Sequence, residues 1–477
     1  MDKILFGFLI ILFLFIIFLA LNALRDKLSR RRLSPRRALV SEEKQREYAL
    51  SLSEMIKCKT VSQKDSFQAE EFERLRRVME ELFPLVHSQC EKMIFSDDCW
   101  VFRLNGKNKS RNILLMSHHD VVAAEGEWLH PPFCGEIFDG ALWGRGTVDT
   151  KTSLFGEFQA LEELLREGFV PECNIFIASS HNEELGGDGI PLTLEYFKKE
   201  GISFEAVLDE GGAIIAPPLP FVKSNCAMIA VHENGRISLT CKAKAAEKAR
   251  GLAPDSATPV SRMSAFITEV STKNIFIRRL YPQTKAMLSH ISPYAPFFMT
   301  MIFSNLSVFG GIIKSVMPKL NAQAVAMVGT TCTFTDISMN REEKLCTAKA
   351  FLRPVDENDF RKELERIKKI AGKYDISIEE AEDNKCFRPA DTEGHAFNYI
   401  KRCISEIFPD VIPAPYILPA GTDARHLCEI CPCVIRFAPI ELDNKQFASV
   451  HNNNENLGLE SIGSCVAFYK HYIKNYK

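Results

Sequence analysis

The sequence predicts an α/β protein: a mixed sheet flanked by helices, split by an inserted α+β domain and preceded by a transmembrane helix. Apolar runs of strand length, at residues 113–116, 174–180 and 206–208, alternate with amphipathic helical patterns, as buried strands joined through helices do. A central block switches to strict apolar/polar alternation, the mark of an antiparallel sheet with one wet face. The first residues form an unbroken apolar run.

At 477 residues the chain exceeds one ordinary domain and predicts about two or three. The 59 Lys and Arg nearly balance the 61 Asp and Glu, so no general attraction to nucleic acid is expected. With 46% hydrophobic residues there is ample material for a core.

Residues 4–21 carry no charge and, Gly7 apart, are Ile, Leu, Phe and Ala, enough to cross most of a bilayer at about 1.5 Å per residue. The run exceeds the roughly 7–15 residues of a signal-peptide core, and only the weak cleavage pattern Leu21-Asn22-Ala23 follows. An uncleaved anchor over residues 1–24 is expected, with a cleaved signal as the competing reading. Arg25, Lys27, Arg30, Arg31, Arg32, Arg36 and Arg37 follow the run and only Lys3 precedes it, so the charge rule puts the bulk of the chain in the cytoplasm. Residues 25–40 read as a basic linker. The 15 cysteines are scattered like reduced thiols, and Cys428, Cys431 and Cys433 lack the second pair that a zinc ribbon needs.

Helices are expected from Ser41 onward and over 69–82, where Phe72, Leu75, Val78, Met79 and Leu82 recur at spacings of three and four. A strand follows at 112–120, NILLMSHHD, delivering two imidazoles and a carboxylate at its C-terminal end, where ligands gather in α/β sheets. In LWGRGTVDTK, residues 142–151, Asp149 stands at the mouth of a helix with Leu154, Phe158, Leu161 and Leu165 on one face. A plain N-cap is its alternative role. The strand at 174–181 runs into Asn182-Glu183-Glu184, where adjacent carboxylates repel and are best stabilised by a cation. A third strand, 206–209, ends in Asp209.

Alternation begins at 236–245, a helix is expected at 259–270, and the apolar stretch 294–316, broken by Pro296, Asn305 and Gly310-Gly311, reads as core or lid surface rather than a second span. Alternation returns at 348–352 before a helix marked by Phe360, Leu364, Ile367 and Ile370. The expected division is therefore 41–232 for the first part of the main domain, 233–347 for the insertion and 348–477 for the second part. That last part holds Gly421-Thr422-Asp423-Ala424-Arg425-His426, a strand at 433–438 and the loop SVHNNNENL at 449–457.

His118, Asp149, Glu184, Asp209 and His451 together offer two imidazoles and three carboxylates, suited to a pair of divalent metals with zinc as leading candidate. The ordered motifs HHDVV, WGRGTVDTK, NEELGG, DEGG, GTDAR and HNNNEN resemble those of the M20 family of metallopeptidases, from about residue 42 to the C-terminus. The apolar middle block and the N-terminal anchor resemble its carboxypeptidase S and N-acyl-amino-acid hydrolase branch. The resemblance implies a ferredoxin-like lid or dimerisation domain as the insertion, and two Zn2+ ions, with Co2+ or Mn2+ as substitutes. It implies His118 and Asp209 on one metal, Glu184 and His451 on the other, and Asp149 bridging them. Asp120 would orient His118, and Glu183 would be the general base that takes a proton from the attacking water and passes it to the leaving nitrogen. Arg425 would bind a substrate carboxylate, with Gly421 and Thr422 shaping that pocket. His119 would face away from the metals.

The chain departs from the family pattern in Asn182 and Thr150, where acidic residues are usual, and in the lid. There Ala249-Arg250-Gly251 stands where the family has a histidine motif, leaving Arg250 as a substitute cation, and no Asn-x-x-Pro segment follows Asn340. The expected function is hydrolysis of an amide next to an amino acid with a free carboxylate, in a peptide or N-acyl amino acid, possible dimerisation running through the lid. The alternative is a membrane-tethered protein that binds metal and ligand without hydrolysis. Family resemblance places the catalytic domain outside the cytoplasm, against the charge rule.

Overall fold

The computed structural model describes residues 2–64, 67–219, 221–245, 258–273, 275–320, 322–381 and 386–477. In chain order the strands are β1 (Glu91–Phe95), β2 (Cys99–Leu104), β3 (Asn108–His118), β4 (Glu136–Phe138), β5 (Ala141–Trp143), β6 (Cys173–Ser180), β7 (Ala206–Asp209) and β8 (Ile214–Ile215). They continue as β9 (Cys226–Glu233), β10 (Ile237–Lys244), β11 (Thr331–Asn340), β12 (Leu345–Arg353), β13 (Ser377–Glu380), β14 (Ile412–Leu418), β15 (Val434–Arg436) and β16 (Asn456–Gly458).

The main sheet runs β1-β2-β6-β3-β7-β15-β9-β14, with β8 on β9. Its centre is parallel, β3 pairing with β6 and β7 and β7 with β15, while β1, β2 and the β15–β9 junction are antiparallel. Parallel strands buried on both faces need continuous apolar sequence, and β6 and β7 are buried at every residue. Helices Glu42–Ile56, Lys151–Arg166 and Leu459–Asn475 cover one face around Phe155, Phe158, Phe468 and Tyr469. Ser41 caps the first of these helices by accepting the Lys44 N–H. The helix Ala69–Leu82 lies where its periodicity put it.

The second sheet, β11-β12-β10-β13, is antiparallel throughout, with helices Pro259–Thr272 and Glu357–Lys373 packed on its apolar face. Its chain order, strand-helix-strand-strand-helix-strand, is that of a ferredoxin-like unit. This sheet draws on residues as far as Glu380, past the boundary expected at 347. The intervening segment leaves it altogether: helix Pro282–Ile291 packs against β14 and β9 of the main sheet, with Met287, Leu288 and Ile291 among Met228, Ile412 and Ala414. Alternation marks where a sheet begins, but which sheet a helix covers depends on contacts distant in sequence.

Among the described residues one helix is by itself long and apolar enough to cross a membrane, Ile4–Ser29. Leu19 and Ala23 are buried in it, beside helix Phe297–Phe303, while most of its large apolar side chains are exposed.

Candidate metal centre

The carboxyl ends of β3, β6 and β7 open on one side of the main sheet, and there the predicted residues meet. His118 closes β3. Its Nδ1–H donates to the Asp120 carbonyl at 2.9 Å, with the Asp120 carboxylate 3.3 Å away. A carbonyl can only accept, so this bond leaves Nε2 of the neutral ring with a lone pair, aimed at Asp149 Oδ1 3.0 Å away. His451 arrives from the far end of the chain and places Nε2 2.9 Å from Asp149 Oδ2 and 3.2 Å from Glu184 Oε2. Its backbone is left-handed, φ 59°, which a non-glycine residue adopts only where its surroundings hold it. Asp149 is thus no N-cap. Its two oxygens face two different imidazoles, and Thr150 stands at the helix entry instead.

Two sets of donor atoms converge on Asp149. One is His118, Asp149 and Glu210; the other is Asp149, Glu184 and His451. The first set replaces the expected Asp209 with its neighbour. Successive side chains at a strand end point to opposite sides, so only one member of the Asp-Glu pair can face the centre. Asp209 belongs to neither set, and its carboxylate accepts the Ala424 N–H at 3.2 Å. The sequence contained Glu210, but without the register of β7 nothing distinguished the two acids.

Electrostatics match this arrangement. Burial opposes charge on His118, yet Asp120 and Asp149 outweigh it and hold its pKa well above the usual imidazole value. Hydrogen bonds to Asp149 and Glu184 raise His451 to about 10. Glu183 and Glu210 are pushed well above the carboxylate range, first by burial and then by crowded acids. Burial likewise brings Asp423, which accepts the Ser180 hydroxyl at 2.6 Å, to about 6. Glu184 Oε1 is buried with no hydrogen-bond partner. Crowded carboxylates, two imidazoles and an unsatisfied oxygen form a donor set that divalent cations fit.

Asp120 has a further role. Its two oxygens accept the backbone N–H groups of Glu183 and Glu184, each at 3.2 Å, clamping the turn that carries both glutamates to the end of β3. His119 faces away, stacked on Trp100 at 4.0 Å with Nδ1 beside Ser179 Oγ.

Glu455, in the HNNNEN loop, had no predicted role. Fully buried, it accepts Arg145 Nη1 and the Gly146 N–H through one oxygen, at 2.7 and 3.0 Å. Through the other it accepts the Val148 and Asp149 N–H groups at 2.7 and 3.0 Å. It therefore holds the backbone of Asp149. The only trace of this in the sequence was an acid four residues after His451.

A pocket of about 460 Å³ opens beside Glu183, Glu184 and Glu210, with Gly421 and Thr422 on its rim and Met228, Met327 and Leu418 on its apolar wall. A Cβ added at Gly421 would lie 3.0 Å from Arg425 Nη1 and 3.2 Å from Arg353 Nη1, and one at Gly186 would lie 2.5 Å from Arg236 Nη1. Arg425 and Arg353 therefore lie against Gly421 on the pocket rim, and Arg236 lies against Gly186 in the turn that follows Glu184. Arg353 ends β12 and Arg236 precedes β10, so the second sheet supplies two cations that the sequence did not single out. Arg250 lies outside the described residues.

The profile of peptidase family M20/M25/M40 matches residues 114–475. The chain is 28% identical over 449 residues to a probable carboxypeptidase S-like 2 of Dictyostelium discoideum, covering 90% of this chain and 85% of that one. It is 27% identical over 410 residues to the N-fatty-acyl-amino acid synthase/hydrolase PM20D1 of Homo sapiens, covering 84% and 81%. Among solved structures, the M20 family metallo-carboxypeptidase Sso-CP2 of Sulfolobus solfataricus shares the fold with TM-score 0.64 at 15% identity, over 90% of this chain and 98% of that one. With its fold, its paired donor sets and a profile match over most of its length, the chain belongs to peptidase family M20/M25/M40.

Proposed function

We propose that this M20 enzyme hydrolyses an amide bond next to an amino acid with a free carboxylate, in a peptide or an N-acyl amino acid. The observation that carries the reading is Asp149, whose two oxygens face different imidazoles at 3.0 and 2.9 Å, as a bridge between two cations would. His118, Asp149 and Glu210 would hold one divalent ion and Asp149, Glu184 and His451 the other, zinc first, with Co2+ or Mn2+ able to substitute. When bound, such ions lower the pKa of a water and polarise the scissile carbonyl.

Glu183 lines the pocket beside these donors without belonging to either set, the place for a general base. It takes a proton from the attacking water and returns it to the leaving nitrogen. Arg425, with Arg353 and Arg236 near it, binds the substrate carboxylate, and Gly421 keeps that approach open because a side chain there would meet two guanidiniums. The apolar wall at Met228, Met327 and Leu418 suits an acyl chain or apolar side chain. The ferredoxin-like unit acts as a lid that brings Arg236 and Arg353 to the site, and could pair two chains. The helix Ile4–Ser29 tethers the enzyme to a membrane, and its orientation would be read by protease accessibility on intact cells.

A binder without hydrolysis would have no use for Glu183. Elemental analysis for two metals, followed by dipeptides and N-acyl amino acids with and without chelator, tests the proposal. Glu183→Gln should keep its metals and lose nearly all turnover. Two bound metals with no amide cleaved would favour the binder.

A further inference from the structure

The N-terminal helix does not stand alone. Residues 297–316 carry one charged side chain, Lys314 near their end, and fold as two short helices, Phe297–Phe303 and Leu306–Val316, meeting at a bend of 97°. Neither helix alone can span roughly 30 Å of hydrocarbon, at about 1.5 Å per residue. They nevertheless expose large apolar side chains: Phe297 is 45% exposed, Phe298 62%, Val308 44%, Ile312 64% and Val316 46%. Large apolar side chains exposed together on one short segment mark an interaction site.

What covers it is indicated by its neighbour. The bend is locked to the N-terminal helix by Asn305, almost fully buried, whose Nδ2 donates to the Leu19 carbonyl at 3.1 Å and whose Oδ1 accepts Asn22 Nδ2 at 2.8 Å. Paired asparagines between apolar helices are a bond suited to lipid surroundings. Lys27 fixes the same junction by donating to the Ala295 carbonyl at 2.6 Å. Where the long helix leaves its apolar run, a cavity of about 410 Å³ is lined by Arg30, Arg31, Lys401 and Arg402, a concentration of positive charge at the depth where phosphate headgroups would lie.

We propose that the bent pair Phe297–Phe303 and Leu306–Val316 enters the bilayer beside the N-terminal helix, so that the enzyme is held by two apolar elements with its basic cavity against lipid headgroups. This rests on the tether of the preceding section and extends it from an anchor on a linker to a docked catalytic domain. The consequence reaches the site. Phe303 stacks on Phe221 at 6.0 Å, and Phe221, Met228, Tyr416 and Leu418 belong to one apolar cluster that also forms the pocket wall. The side of the pocket suited to an acyl chain thus backs directly onto the membrane-facing helices, which places it to receive amphiphilic substrates from the bilayer.

The test uses the full-length chain in phosphatidylcholine and phosphatidylserine vesicles with ordinary or brominated acyl chains. Phe298→Trp and Ile312→Trp each add one indole at an exposed site on the pair, and Val170→Trp adds one at an exposed site between Lys151–Arg166 and β6. With the pair buried about 5–10 Å into the headgroup and acyl boundary, the emission added by the first two should fall about twofold or more in brominated lipid, and that of Val170→Trp should not change. Vesicle-bound protein whose added emission at 298 and 312 is the same in both lipids would overturn the proposal, as would a chain that fails to float with vesicles. Quenching does not depend on turnover. A chain quenched at Ile312→Trp yet inert toward every amide would sink the hydrolase reading alone, and an active chain unquenched there would sink this one alone.

Discussion

Glu455→Gln should damage this protein more than a one-atom change suggests, because the carboxylate is buried and all its acceptor capacity is in use. Each oxygen accepts two donors: Arg145 Nη1 and the Gly146 N–H on one, the Val148 and Asp149 N–H groups on the other. Whichever way the glutamine amide turns, its NH2 confronts two N–H donors, and two bonds are lost. Hydrogen bonds to a charged group contribute about 1.5–3 kcal/mol each. Removing the charge also leaves Arg145, 2% exposed, without its carboxylate partner, and breaking a buried ion pair costs about 3–5 kcal/mol. These contributions overlap, so a loss on the order of 4 kcal/mol is expected, read from urea denaturation of the metal-free chain. Because the same carboxylate positions the Asp149 backbone, metal affinity should fall by roughly 10–100-fold as well, read by competition with a chelator. Unchanged stability together with unchanged metal affinity would refute the assignment of Glu455 as the residue that holds Asp149.

The remaining predictions concern the metals, the core and pH. Glu210→Ala should lower metal content from two ions per chain toward one, while Asp209→Asn keeps two, and the opposite pattern in elemental analysis would restore Asp209 as the ligand. Gly156→Val should cost roughly 1–3 kcal/mol by overpacking, since a Cβ there would sit 2.7 Å from Cys465 Sγ and 3.0 Å from Tyr469, both fully buried. A melting temperature equal to the parent would show that this helix contact is loose. Burial lowers the His232 imidazole from 6.5 to about 4, outweighing its 2.8 Å bond to the Val355 carbonyl. The unfolded chain then takes up the proton first, so stability falls as pH drops from about 6.5 to about 4. His232→Gln should flatten that limb of the stability curve, and superimposable curves for the two proteins would remove His232 as its source.

How much of this was legible in the sequence depended on whether the signal was local. The helix over Ala69–Leu82 and the alternating block follow from periodicities of 3.6 and two, the apolar N-terminus and the strands that end in His and Asp from short apolar runs, and each reappears in the fold. Five metal-centre residues were named from the strand ends and the motif order; the parallel neighbours β3 and β6 bring His118 and Glu184 to one edge, and Asp149 and His451 join them from segments that precede helix Lys151–Arg166 and follow helix Asn444–Ser449. Asp209 and Glu210 could not be separated that way. A strand presents adjacent residues to opposite sides, and only the pairing of β7 between β3 and β15 decides which one faces His118. Glu455, Arg236 and Arg353 were silent for a related reason: their partners lie between about fifty and three hundred residues away, and charge carries no periodicity. The apolar stretch 294–316 was read as core or lid surface because Pro296, Asn305 and Gly310-Gly311 break it. Only the tertiary structure shows that it docks on the N-terminal helix through Asn305 and Asn22 and leaves large apolar side chains exposed, because both depend on a partner 283 residues away.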